Sequence, residues 1–106
     1  WLSEGAFAAA VDYASAWSAG ALASFDRIYT DDIPQLEFQR GQGYFPDLPA
    51  PFTDLGQVVA GEKPGRTART ERLMACLLGL AAEDVVIGRL VVEQAIAKGI
   101  GIRLPL

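Results

Sequence analysis

A chain of 106 residues supplies one domain's worth of core. Its formal net charge of −4, with nine scattered basic residues, excludes the counterion-displacing surface that nucleic acid requires. Histidine is absent and Cys76 is the single cysteine, so His-based catalysis, His-ligated metal and an internal disulfide are all excluded from these residues.

Taken in chain order, residues 5–12 (Gly-Ala-Phe-Ala-Ala-Ala-Val-Asp) read as a small-residue strand ending in a carboxylate, although alanine alone favours helix. Residues 18–25 predict a short helix with Ser18 as N-cap and Leu22 and Phe25 turned inward. Asp26 to Thr30 has the β-branched and aromatic content of a strand. Asp32 then caps a helix with Pro34 in its first turn and Gln35 completing an Asp-x-x-Gln box, ending near Gly41 and Gly43. Residues 44–52, with three prolines among aromatics, form a loop.

Thr53 is the expected cap of a short helix bearing Leu55, Val58 and Val59 and closed by Gly61. Pro64-Gly65 suits the centre of a type II turn. Residues 72–78 fit strand or helix equally by period. From Leu80 to Lys98 the period is helical, with Ala81, Val85, Gly88, Val92, Ala95 and Ile96 on one side and Gly99 as C-cap. Ile100 to Leu104 suggests a last short strand. Strand and helix alternate throughout, the signature of an α/β fold with parallel pairing.

Hydrophobic residues make up 51% of the chain, which predicts apolar surface facing further chain or a partner. A rich small core accounts for the same figure. The longest near-apolar run, residues 73–82, is interrupted by Gly79 and too short for a bilayer. With no basic-then-apolar leader, no membrane partner and a cytoplasmic setting are expected. Trp1 in place of Met, leading straight into a strand-like segment, predicts a piece of a longer polypeptide.

Five ordered stretches resemble the ornithine cyclodeaminase/mu-crystallin family. They are Gly5-Ala-Phe through Val11-Asp12, Asp26-Arg-Ile-Tyr-Thr-Asp-Asp32, Asp54-Leu-Gly followed by Gly61-Glu-Lys-Pro-Gly-Arg66, Leu78-Gly-Leu-Ala-Ala-Glu-Asp84, and Ala97-Lys-Gly-Ile-Gly101. The resemblance implies that residues 1–79 are the last part of a Rossmann-type parallel sheet. Residues 80–106 become a long returning helix and tail that rejoin a substrate-binding and dimerisation domain. It further implies NAD or NADP, bound mainly by residues outside this chain, a small amino-acid or imine substrate, and a homodimer for the whole protein. The matching reactions are conversion of L-ornithine to L-proline and ammonia, or a related oxidation or imine reduction.

Residue by residue, the family's proton-handling aspartate falls at Ala14, and Asp12, two positions earlier, is the candidate substitute. Val11, Asp12, Tyr13, Ser18 and Leu77 fall at cofactor contacts, and Leu78 at an apolar substrate contact. Ser18 stands where some members carry a lysine, and Leu77 where a polar group is usual. Each has an ordinary structural role as alternative: Asp12 caps a turn, and Leu77 and Leu78 are core. Asp31 and Asp32 read as strand-end caps, and Arg66 as a loop pin or a carboxylate clamp. The absence of aspartate at position 14 leaves open a non-catalytic, mu-crystallin-like binding protein, and a third reading takes the 106 residues as an independent small interaction domain.

Overall fold

The computed structural model describes residues 2–12 and 16–105. The elements alternate as expected: β1 (Phe7–Ala10), α1 (Ala19–Leu22), β2 (Arg27–Thr30), α2 (Ile33–Gly41), β3 (Thr53–Asp54), α3 (Leu55–Val59), β4 (Leu73–Cys76) and α4 (Ala81–Lys98). All pairings are parallel, in the order β1-β4-β2-β3. The last strand therefore lies between the first two. Its sequence, Leu-Met-Ala-Cys, is apolar at every position, as a strand covered on both faces must be, and all four residues are buried.

Local chemistry sets the helix starts. Ser18 Oγ accepts from Ala21 N, and Asp32 Oδ1 accepts from Gln35 N at 2.6 Å, with Pro34 in the first turn where no amide donor is needed. Leu22, Phe25 and Leu36 pack with Ile28, Met74 and Phe45 to form the core on one face of the sheet. On the other face, Tyr29 meets Phe52 edge-on, and Arg27 stacks over the Phe52 ring at 4.9 Å.

Four expectations are corrected. Thr53 is not the cap of α3: it pairs with Tyr29 in β3, 2% exposed, and Asp54 takes the cap by accepting from Gln57 N at 2.8 Å. Pro64-Gly65 is not a type II turn, since Gly65 lacks the positive φ that the turn requires. Arg27 of β2 instead donates to Gly65 O at 2.9 Å and ties the segment to the sheet. Residues 100–104 form no strand. β1 spans only Phe7–Ala10, so Asp12 lies beyond the strand and not at its end, and Tyr13 and Ala14 lie outside the described residues.

Helix α4 is the unusual element. Gly99 closes it at φ 63°, yet none of its residues is buried, and Val85, Ile87, Val91 and Ile96 are all more than half exposed. At 1.5 Å per residue it is roughly 27 Å long. The radius of gyration is 17.5 Å, whereas a compact domain of this length has about 13 Å. The helix projects from the sheet instead of packing on it.

Candidate functional site at the C-terminal edge of the sheet

In an open parallel sheet the strands' C-terminal ends face the crevice where ligands bind. Here that edge carries a small cavity of about 40 Å³. Ala10, Met74 and Cys76 line it from the sheet, Trp17 and Leu22 from the α1 side, and Phe45 to Leu48 from the loop after α2. Asp12 and Asp47, both exposed, stand at its mouth. A water needs roughly 10–15 Å³ of such space, so the cavity takes a few waters, and any larger ligand sits over its mouth.

The loop that closes the cavity is held by Arg40, whose guanidinium donates to Leu48 O and to Pro49 O. Phe45 adopts φ 56° while 2% exposed. That backbone state costs an L-residue roughly 1–2 kcal/mol, offset by burial of the ring in the core. Cys76, the buried thiol of the cavity, is pushed up to about 11, by burial first and then by the nearby negative charges of Asp31 and Asp12. It stays a neutral thiol at ordinary pH and is a poor nucleophile.

The structure brings Asp12 to this edge with Val11 and Leu77. Val11 is 77% exposed just past β1, and half-buried Leu77 donates from its amide to Ala10 O at 2.8 Å. Leu78 is 9% exposed and belongs to the core. Ser18 lies elsewhere, its hydroxyl engaged as the cap of α1, on a groove shared with Leu2 and Arg72. Arg66 donates to Glu71 O and to Ala6 O and pins a loop at the opposite edge. Asp47 and the Phe45–Leu48 loop escaped the reading of the sequence, because a proline-rich stretch carries no period that shows which side chains turn inward. Asp31, expected as a strand-end cap, has partners the sequence did not indicate: it accepts from Leu78 N and Gly79 N and ties the end of β4 to β2.

An apolar shelf with a carboxylate beside it suits a nicotinamide ring. A pyrophosphate finds no cradle among the described residues. Gly41-Gln-Gly43 and Gly99-Ile-Gly101 lie at the C-terminal ends of α2 and α4, where carbonyls point outward and the helix dipole is negative. The N-terminus of α2 is filled by the Asp32 carboxylate, and the first turn of α4 carries Glu83 and Asp84. Among the described residues no group of His, Cys, Asp and Glu could hold a metal ion, and no helix is long and apolar enough to cross a membrane.

The parallel order, the right succession of strands and helices and the ligand edge define a Rossmann-type α/β sheet. An archaeal alanine dehydrogenase dimer with bound NAD shares this fold, at a TM-score of 0.69 and 24% identity, over 100% of this chain and 36% of that one. Residues 19–99 match the ornithine cyclodeaminase/mu-crystallin family, and the chain belongs to it. A Delta(1)-pyrroline-2-carboxylate reductase of Bacillus cereus is 33% identical over 71% of this chain and 22% of its own length. A putative dehydrogenase of Rhizobium meliloti is 44% identical over 49% of this chain and 16% of its own. The chain thus spans about a fifth of the curated relatives it matches.

Proposed function

We propose that the polypeptide carrying these residues is a nicotinamide-dependent oxidoreductase of amino-acid imines, with reduction of Δ1-pyrroline-2-carboxylate to proline as the leading reaction. The observation that supports it most is the Asp12 carboxylate at the mouth of the C-terminal-edge cavity, in a chain 33% identical to a pyrroline-2-carboxylate reductase. A reduced nicotinamide, when bound, supplies a hydride to the imine carbon. The nitrogen must gain a proton as the C=N bond becomes single. Asp12, one of two carboxylates at this mouth with Asp47, is the one we assign to hold and pass that proton, directly or through one water. Val11 and Leu77 offer the apolar shelf for the ring, Tyr13 a further cofactor contact, and Leu78 apolar backing from the core; Ser18, on a separate groove with its hydroxyl capping α1, can meet the cofactor only away from this edge.

Run on the oxidised cofactor, the same hydride chemistry suits the conversion of L-ornithine to L-proline and ammonia. NAD and NADP are both compatible, with the phosphates held by residues outside this chain. In this reading residues 1–79 close the Rossmann sheet. Residues 80–106 meet the substrate and dimerisation domain, for which the exposed apolar side chains of α4 provide the surface. A homodimer follows for the whole protein.

Ala14 favours a second reading, a mu-crystallin-like protein that binds the cofactor without turnover, because the family's aspartate is missing there. One experiment separates the two. The full-length protein is titrated with NADH and NADPH by fluorescence, and loss of dihydronicotinamide absorbance is followed with Δ1-pyrroline-2-carboxylate. Turnover that falls about a hundredfold in Asp12→Asn, with cofactor affinity retained, supports the enzyme. Binding without turnover, rescued by Ala14→Asp, supports the binding protein. Binding of neither cofactor refutes both.

A further inference from the structure

Strand β4 outruns its partner. Its last registered pair with β2 is Thr30↔Cys76, and Leu77 N still reaches Ala10 O of β1, but the amides of Leu78 and Gly79 lie beyond both ladders. Backbone donors at such a junction need an acceptor. Asp31, the residue after β2, provides it. One carboxylate oxygen accepts from Leu78 N and Gly79 N, each at 2.8 Å. The other accepts from Asp32 N at 3.1 Å and from the Thr30 hydroxyl at 3.2 Å. The second pair of bonds anchors the carboxylate to its own strand end, so the linker is tied to the sheet itself. Gly79 then turns at φ 83°, and α4 begins two residues later with no side-chain cap.

Resting on the reading that this edge receives a nicotinamide ring, we propose that Asp31 is a positioning residue: it touches neither cofactor nor substrate, and it locks Leu77 and Leu78 where they flank the reacting groups. Charge-assisted bonds to two successive amides fix both the height and the direction of the segment. A shift of about 1 Å in such a support costs up to about a hundredfold in rate. The molecule carries its own control. At the other end of β4, Asp26 accepts from Arg72 N at 2.6 Å. The same kind of carboxylate pin therefore holds both ends of one strand, and only the Asp31 end borders the cavity.

The test uses the full-length protein with Asp31→Asn, Asp31→Ala and, as matched control, Asp26→Asn. Amide hydrogen exchange across residues 77–80 is measured together with the NADH dissociation constant, and kcat and KM with Δ1-pyrroline-2-carboxylate. Exchange at 77–80 is expected to rise about tenfold in Asp31→Ala, and less in Asp31→Asn, which keeps one acceptor oxygen. The value of kcat falls about tenfold while the NADH dissociation constant stays within about threefold. Asp26→Asn loosens residues 70–73 and leaves kcat within about twofold. If Asp31→Ala does not fold, Asp31→Asn alone decides. Unchanged exchange at 77–80, unchanged kcat in a loosened linker, or an equal kcat loss in Asp26→Asn each overturns the role. A wild type that turns over while the Asp31 variants match it refutes this role alone; a wild type that binds neither NADH nor NADPH refutes the functional reading and this role with it.

Discussion

Replacing Gly5 with alanine should unsettle the start of β1, whereas the same change at Gly20 should stabilise the protein. Gly5 sits at φ 74°, and a Cβ there would meet the Arg69 carbonyl oxygen at 2.5 Å. The backbone state costs alanine roughly 1–2 kcal/mol. The clash is with main chain, which no rotamer change relieves, and displacing it adds about 1–3 kcal/mol. Gly5 N also donates to Thr70 O at 3.0 Å, so the strap that must move is the one Gly5 is bonded to. A loss of about 2–5 kcal/mol follows, a large part of the roughly 5–15 kcal/mol that typically holds a domain together. Gly20, inside α1, has nothing within 4 Å of an added methyl and no positive φ; alanine there gains roughly 0.5–1 kcal/mol of helix preference. Urea unfolding of the two variants reads both signs. Equal midpoints for Gly5→Ala and Gly20→Ala, at unchanged slope, would refute the close approach of residues 5 and 69.

Leu36→Ala on α2, fully buried, should cost about 2–5 kcal/mol, while Phe38→Ala, 64% exposed on the same helix, stays within about 0.5 kcal/mol by the same unfolding assay. Glu71 is lowered to about 2, chiefly by the Thr67 amide and hydroxyl and the Ala68 amide, with Arg27 adding to them. A depressed carboxyl stabilises the fold above its ordinary value of 4.5 and loses that contribution as pH falls toward about 2. Acid unfolding of Glu71→Gln should therefore lack the part of the pH dependence that wild type shows in that window. Cys76, raised to about 11 from 9.0, contributes the opposite sign: stability is intact below 9.0 and is lost as pH climbs through about 11. Alkylation of the folded protein by iodoacetamide at pH about 8 should be far slower than alkylation in urea, and equal rates would contradict the burial of the thiol.

Short-range chemistry was readable wherever a residue's neighbours in sequence decide its role. Asp32 with Pro34 opens α2, Ser18 caps α1, and Gly99 closes α4, because each cap bonds an amide or carbonyl within four residues. The same logic failed where a distant group won. Pro64-Gly65 has the local preference for a turn, but Arg27, 38 residues away, takes the Gly65 carbonyl. Thr53 has a capping hydroxyl, but its β-branched side chain fits the covered edge beside Tyr29, and the cap passes to Asp54.

The order of residue types along the chain by itself determined an α/β body with parallel strands and carried the family resemblance, since alternating period and capping chemistry survive without any knowledge of contacts. Only the tertiary structure decided that β4 enters between β1 and β2, because nothing local distinguishes an inner strand from an outer one until its partners are known. It likewise decided that Asp31 serves the linker 47 residues downstream and that Asp47 joins Asp12 at one cavity. Those pairings depend on where the sheet brings distant loops together, and a carboxylate's neighbours in space are not written beside it in the chain.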